Sequence, residues 1–161
     1  AEFLLTRPIS RGNIAATKLS VLGTLLVLIY LVQTAIAVFG MTVFGTDIAW
    51  GAMLSMHIHG FFLILLFTSL GVLMGSFFSV KLNYMGPVVG MIFGSYFLNA
   101  IASASDTVEW LAYLSPYHYM PLTLDQGELD TNFLACSIFA AVSILILWVS
   151  YKRYMTKDIA G

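Results

Sequence analysis

Long apolar stretches alternate with short polar ones along this chain of 161 residues. An α-helix rises about 1.5 Å per residue, so about 20 apolar residues are needed to cross about 30 Å of hydrocarbon. Four stretches meet this length: residues 19–40, 58–80, 85–104 and 133–151. They lack the alternation that is typical of β-barrel strands. Because a helix satisfies its own backbone amides in lipid, the pattern predicts an all-α membrane protein with four transmembrane helices.

The composition agrees with a chain whose solvent is the lipid bilayer. Of its residues, 60% are apolar and 9% are charged, and the mean hydropathy is +0.92. A soluble domain of this length carries more charge on its surface. The formal net charge of −1 argues against a nucleic-acid partner, which calls for a basic face. The single cysteine, Cys136, cannot form a disulfide within the chain.

The charged residues predict how the spans are oriented. If the first residue lies in the cytoplasm, all seven basic residues fall on the cytoplasmic side: Arg7, Arg11, Lys18, Lys81, Lys152, Arg153 and Lys157. Six of the eight acidic residues then fall outside: Asp47, Asp106, Glu109, Asp125, Glu128 and Asp130. Lysine and arginine close to span ends are enriched on the cytoplasmic side of membranes. We therefore expect an N-in/C-in topology.

Five pieces of the chain lie outside the predicted spans, which together form a single transmembrane domain. On the cytoplasmic side we place an initial segment over 1–18, a tight turn over 81–84 and a tail over 152–161. On the outer side we place a short loop over 45–57 and a long segment over 105–131.

The 105–131 segment contains the pattern of a short helix. Asp106 and Glu109 have the spacing of a capping box, and a helix through Leu114 would end at Ser115 and Pro116. The segment is rich in aromatic residues, which favours a re-entrant or interfacial helix before the last span; the alternative is an ordinary amphipathic loop. Its candidate functional residues are Asp106, Glu109, Trp110, Ser115, Pro116 and Tyr117.

Small residues recur on two of the predicted spans. Gly86, Gly90 and Gly94 follow one another at four-residue spacing in the third span, and Gly71 and Gly75 do so in the second. Missing side chains let helix backbones approach closely, so these glycines are candidates for helix packing, within one chain or between two. The alternative is that glycine is simply common in membrane helices.

Polar side chains within the spans are few. The spans contain no lysine, arginine, aspartate or glutamate, whereas proton-coupled transporters place such groups within the membrane. The main polar residues are Gln33, Thr34, Ser95, Asn99 and Ser103. Hydrogen bonding between helices is their expected role, in preference to contact with a substrate.

Three histidines lie on the predicted outer side and raise the question of a metal site. His57 and His59 open the second span, and His118 lies in the 105–131 segment; with Asp106 or Glu109 they could approach a metal. However, a His-x-His pair on a helix directs its rings about 200° apart, so no metal site is predicted. A membrane-embedded enzyme or redox subunit that uses these histidines for a metal or haem stays open as the alternative function.

The first eleven residues form a short amphipathic element next to the first span, fit to dock on a partner or on anionic headgroups. Pro8 ends any helix that begins at residue 1, and Ser10 is placed to cap a helix that leads into the span. The run from Glu2 to Arg11, followed by Lys18, resembles the cytoplasmic segment of ABC exporter permeases of type two. Leu114-Ser-Pro-Tyr117 is similar to the Leu-Ser-Pro-aromatic element of that family, and the tail through Ile159 resembles its C-terminus.

The resemblance implies a permease subunit rather than an enzyme. The chain would be the last four of six spans, without the first two, and the permease would lie in the plasma (inner) membrane of a prokaryote as a multi-pass protein. The chain lacks a phosphate-binding Walker A loop, so ATP and Mg would be bound by a separate ABC ATPase subunit. A second permease chain would complete a homodimer.

By the same resemblance, the first residues would form a coupling segment that docks on the ATPase, and the outer segment would help close the pathway. The docking residues would be Glu2, Phe3, Leu4, Leu5, Arg7, Pro8 and Arg11. The implied function is export driven by ATP hydrolysis, and the sequence does not identify the substrate.

Overall fold

The computed structural model describes residues 10–44, 49–77, 85–122 and 131–156, and in these ranges the protein is helical with no strand. Four helices are long and apolar enough to cross a membrane: α1 (Arg11–Val43), α2 (Trp50–Phe77), α3 (Met85–Ala102) and α5 (Phe133–Thr156). Between α3 and α5 lie a 3₁₀ helix (Asp106–Leu114) and a single turn of α-helix, α4 (Pro116–Tyr119). The prediction of four long apolar helices is confirmed.

Helix α1 begins where the sequence predicts a cap. The side chain of Ser10 accepts a hydrogen bond from the backbone N–H of Asn13, at 3.2 Å, which satisfies one of the free amides at the helix start. With 33 residues, α1 is about 50 Å long. It is longer than the hydrocarbon it has to cross, so its first turns extend beyond the predicted span of 19–40.

Helices α2 and α5 run side by side in the same direction. Near their first residues the hydroxyls of Ser55 and Thr131 are 3.0 Å apart, and near their last residues the Arg153 guanidinium lies 5.2 Å from the ring centre of Phe77. The core between them consists of small and large apolar side chains that are buried together: Leu63, Phe67, Met120, Ala135 and Cys136. Helix α2 begins eight residues before the predicted span, so His57 lies two turns inside the helix.

Helices α3 and α1 pack around this pair. On α3, Met91 and Ile92 pack against the core, and Val88 faces Gly71 of α2. Helix α1 meets α5 near its own first residues, where Gly12 lies against Tyr151, and meets α2 further along. In the most apolar 18-residue window of α1, 0% of the residues are buried, against 22% in α2 and in α5.

The start of the 3₁₀ helix differs from the capping box predicted there. Asp106 does not cap the helix; it is the first helical residue, and Ser105 occupies the cap position without a side-chain hydrogen bond. The N–H of Val108 is already satisfied by the backbone carbonyl of Ser105, at 3.1 Å, so no side chain is needed there. Asp106 and Glu109 lie exposed in the first turn, where carboxylates interact favourably with the helix dipole.

Three basic side chains mark one end of the bundle, which we call the basic end. Lys18 lies over the ring of Tyr154 at 5.8 Å, and Lys152 lies over the ring of Trp148 at 5.6 Å. The third, Arg153, contacts Phe77 as described above. The first residues of α1 and the last residues of α5 are therefore at the same end, and the 3₁₀ helix and α4 are at the opposite one.

Candidate functional site

Ser115 joins the 3₁₀ helix to α4 and fastens both to α3. Its hydroxyl donates a hydrogen bond to the backbone carbonyl of Ser95 on α3, at 2.7 Å, and accepts one from the N–H of Tyr117, at 3.3 Å. The residue is fully buried. Pro116 follows as the first residue of α4, a position where its missing N–H costs nothing. The Ser-Pro pair therefore ends one helix, as the sequence predicts, and also starts the next.

Tyr117 packs into the bundle directly after this junction. Its ring centre lies 5.8 Å from that of Phe67 on α2 and 5.7 Å from that of Tyr96 on α3. Burial, and to a smaller extent the neighbouring Tyr96, raises the pKa of the Tyr117 hydroxyl above its ordinary value. The phenol is therefore neutral at physiological pH. Three residues further on, Met120 is 0% exposed, so α4 is anchored on both sides.

The side chain of His59 contacts backbone groups on both sides of the second half of the 105–131 segment, at Pro121 and at Asn132. Its Nδ1 lies 3.0 Å from the carbonyl of Pro121, and its Nε2 accepts a hydrogen bond from the N–H of Asn132, at 3.1 Å. A backbone N–H can only donate, so Nε2 is unprotonated and Nδ1–H donates to Pro121. His59 is 1% exposed. In the sequence, His59 is one of three histidines on the predicted outer side, and no sequence signal shows its two distant backbone partners.

His57 faces a different helix from His59. Its Nδ1 lies 2.8 Å from the carbonyl of Met53, one turn earlier, and its own backbone carbonyl accepts a hydrogen bond from the hydroxyl of Tyr30 on α1. Gly60 makes room for Tyr30, because a Cβ atom at Gly60 would lie 2.7 Å from the tyrosine oxygen. Neither Tyr30 nor Gly60 is among the residues predicted to be functional, although a tyrosine in the interior of a span is a signal for a buried hydrogen bond.

The three histidines do not converge. His118 is exposed and lies between the rings of Tyr113 and Tyr119, with centres at 4.9 and 5.1 Å. His59 has both ring nitrogens engaged by backbone groups, and His57 faces Tyr30 (ring centres 6.1 Å apart). In the described ranges no three metal-binding side chains form a group. The geometry therefore does not support the alternative function of a metal- or haem-binding subunit.

The glycines singled out in the sequence have different surroundings. A Cβ added at Gly71 would lie 3.8 Å from Val88, an ordinary contact distance, so Gly71 lies where α2 faces α3 but the contact does not require its missing side chain. A Cβ at Gly86, Gly90 or Gly94 would meet no atom within 4 Å among the described residues. Gly75 lines a small cavity of about 150 Å³ near the basic end. Helix packing at the three α3 glycines is therefore not a feature of the described part of one chain.

Other candidate residues lie on the surface or outside the described ranges. Trp110 is 60% exposed on the 3₁₀ helix, beside the exposed Asp106 and Glu109. Of the coupling segment, Ser10 and the backbone of Arg11 belong to the described residues; Glu2, Phe3, Leu4, Leu5, Arg7 and Pro8 lie outside them. Their docking role stays a prediction.

A cavity of about 490 Å³ lies between α1, α2, α3 and α4. Most of its described lining is apolar, from Leu63 and Phe67 of α2 to Val88 of α3. The described polar residues in its wall are Tyr30, Gln33, His57, Thr68 and Tyr117, and none of the described lining residues is charged. A cavity of this size with a few polar groups in an apolar wall has the properties of a small-molecule site.

This architecture, four long apolar helices with short helices packed at one end, defines a multi-pass α-helical membrane protein. The chain belongs to a family of ABC transporter proteins: residues 1–159 match the family described as ABC-2 family transporter protein. No curated protein and no solved structure matches the chain. The resemblance noted in the sequence is thereby confirmed, and the protein is a membrane permease of the ABC transporter class, whose members generally work with an ABC ATPase.

Proposed function

We propose that this protein is the membrane-spanning subunit of an ATP-driven ABC exporter and couples ATP hydrolysis by a separate subunit to the export of a substrate. The observation that carries the proposal is the family match over residues 1–159, which includes both the coupling segment and all four helices. A homodimer of two permease chains with two ATPases, in the plasma membrane of a prokaryote, is the working unit.

The distribution of charge supports an orientation with both ends in the cytoplasm. Lys18, Lys152 and Arg153 cluster at the basic end of the bundle, where they contact aromatic rings. Asp106 and Glu109 lie at the opposite end. The positive-inside rule assigns the basic end to the cytoplasm, so the 3₁₀ helix and α4 lie on the outer side, as a re-entrant or interfacial element that closes the outward end of the pathway.

Helix α1 is the element that transmits the motion of the ATPase. Its first turn is capped by Ser10, and Arg11, the last of the predicted docking residues, is the first residue of this helix of 33 residues. A displacement of the coupling segment would move α1 as a lever against its contacts with Tyr151 of α5 and His57 of α2. The ATPase would thereby change the position of α1 relative to the other spans.

The experiment that tests this proposal uses the full-length permease reconstituted in liposomes with its ATPase. Leu4→Asp and Arg7→Glu are expected to lower ATP hydrolysis in the assembled complex at least ten-fold, because they place a negative charge on the docking surface. Lys157→Glu is the matched control for Arg7→Glu: it makes the same charge change on the same predicted side of the membrane, and its activity is expected to stay within two-fold of wild type.

Membrane insertion, measured by protease protection, is expected to be the same in all three variants. Unchanged ATP hydrolysis and unchanged co-purification of the ATPase in both Leu4→Asp and Arg7→Glu would contradict the docking assignment. Failure of the wild-type protein to associate with any ABC ATPase would contradict the proposed function itself.

A further inference from the structure

The cavity between α1, α2, α3 and α4 contains polar groups with unused hydrogen-bonding capacity. No described residue bonds to the side-chain amide of Gln33 or to the hydroxyl of Thr68, and both residues are in the cavity wall. The His57 ring uses Nδ1 for the Met53 carbonyl, and no described residue pairs with its Nε2. Gln33 and Thr68 lie within the predicted spans, where hydrocarbon chains of lipid offer no hydrogen bonds, so these two groups are costly to leave unpaired.

The polar groups are arranged along an elongated space. Gln33 and Tyr30 lie one helical turn apart on α1, and the hydroxyl of Tyr30 reaches the backbone of His57. Thr68 follows His57 by eleven residues on α2, which places it about 16 Å further along the helix axis. Between these two levels the wall includes Leu63 and other apolar side chains. The cavity thus has Tyr30, Gln33 and His57 at one level and a mainly apolar wall beyond it, in which Thr68 and Tyr117 are the described polar residues.

The electrostatic character of the wall limits which molecules it can take. No lysine, arginine, aspartate or glutamate occurs among the described lining residues. A charged ligand would lose its hydration without gaining an opposite charge, and this desolvation is expensive. An uncharged ligand with a hydroxyl or amide group can instead bond to Gln33 and to the Nε2 of His57.

Among the described residues the cavity is open sideways at the level of the apolar wall, where Ile64 is 40% exposed. Helix α1 meets α2 at Tyr30 and meets α5 at Gly12 and Lys18, and Lys18 lies about 18 Å from Tyr30 along α1. A molecule dissolved in the bilayer therefore has access to the cavity from the side of α1.

We infer that this cavity binds one uncharged, single-chain amphiphile from the membrane. Its hydroxyl or amide head group bonds to Gln33 and His57, and its hydrocarbon chain lies along α2 towards Thr68 and Val88. This ligand site goes beyond the proposed function, because binding here requires neither the ATPase nor transport.

The test uses the full-length protein in liposomes and a long-chain alcohol that carries a diazirine on its chain. Saturable photolabelling of α2 or α3 is expected, and the unlabelled alcohol should compete with it. An alkyl sulfonate and an alkyl trimethylammonium of the same chain length are expected to compete at least ten-fold less well. Absence of saturable labelling, or equal competition by either charged amphiphile, would overturn the inference.

Two variants locate the site. Val88→Trp fills the cavity and is expected to lower labelling at least five-fold, whereas Val89→Trp places the same side chain at the next, exposed position of α3 and is expected to leave labelling unchanged. Gln33→Met keeps the length of the side chain but removes the amide that would bond to the ligand. It is expected to weaken the apparent affinity for the alcohol about five-fold.

Thr42→Val is the control for Gln33→Met, because Thr42 bonds only to a carbonyl of its own helix, that of Phe39, and does not occur in the described cavity lining. Equal labelling of the Val88→Trp and Val89→Trp proteins would refute the location. If Val88→Trp does not fold, as judged by gel filtration, an unchanged affinity of Gln33→Met would refute it instead.

Discussion

Helix α1 and the rest of the bundle are held in different ways. Polar side chains fasten α2, α3, α5 and the described part of the 105–131 segment to one another through His59, Ser115 and the Ser55–Thr131 pair; we call these elements the packed unit. Helix α1 meets this unit through the hydroxyl of Tyr30 near its middle and through Gly12 and Lys18 near its first residues. The difference indicates that α1 moves relative to the packed unit at a lower free-energy cost than its members move relative to one another.

The packed unit depends most on His59. His59→Leu removes the partners of the Pro121 carbonyl and of the Asn132 N–H, two partly buried hydrogen bonds, and each hydrogen bond contributes about 0.5–1.5 kcal/mol. We expect the free energy of unfolding to fall by about 2 kcal/mol, measured by thermal unfolding of the full-length protein in detergent. His118→Leu removes an exposed histidine and is the control; an equal loss of stability in both variants would show that His59 is not an anchor.

Substitution of Ser115 is expected to have the next largest effect on the stability of the packed unit. Ser115→Ala removes the bond to the Ser95 carbonyl and the cap on the Tyr117 N–H, which together cost about 1–2 kcal/mol. Ser105→Ala is the matched control, because Ser105 occupies a cap position without a side-chain bond. The difference in midpoint temperature between the two variants measures the Ser115 contribution. Equal midpoints would contradict the role of the hydroxyl.

Removing the contact between α1 and α2 is expected to lower stability less than the substitutions of His59 and Ser115, and to change the position of α1 more. Tyr30→Phe removes the hydrogen bond to the His57 carbonyl and should cost about 1 kcal/mol. Amide exchange in α2 around residues 57–61 is expected to quicken. Tyr113→Phe changes an exposed tyrosine and should alter neither quantity. Faster exchange around the Ser95–Ser115 contact in the Tyr30 variant would show that α1 and the packed unit are not separable.

The smallest effect on stability is expected at Gly60. In Gly60→Ala the new methyl group displaces the hydroxyl of Tyr30, and the lost hydrogen bond lowers the free energy of unfolding by about 1 kcal/mol. Alanine in place of glycine within the helix raises it by about 0.8–1 kcal/mol. The net change is near zero, yet spin labels on α1 and α2 should report a wider distance. Gly23→Ala, where a Cβ meets nothing within 4 Å, should leave the distance unchanged. A double-mutant cycle with Tyr30→Phe checks that the two residues act together.

The long helices were predictable because their apolar length is a local property of the sequence. The cap at Ser10 and the helix that ends at Ser115 were predictable for the same reason, since each depends on residues within a few positions. The capping box at Asp106 was wrong because a backbone carbonyl took the role that the pattern assigned to a side chain.

The tertiary partners were not predictable from such patterns. The bonds of His59 join it to backbone groups 62 and 73 positions away, and no periodicity encodes a contact of that range. The room that Gly60 makes for Tyr30 likewise depends on how α1 crosses α2. For the glycines of α3, a Cβ would meet no described atom within 4 Å, so their packing against a second chain stays a prediction.

The two bonds of His59 also have a consequence for engineering. Pro121 and Asn132 are bonded to opposite sides of one imidazole ring, so the chain between them begins and ends at two points fixed by the same side chain. Doubling the length of a loop between fixed ends costs only about 0.6 kcal/mol. A peptide epitope inserted between residues 123 and 130 is therefore expected to leave the helices in place, and the proposed topology predicts that an antibody reaches it from outside intact cells.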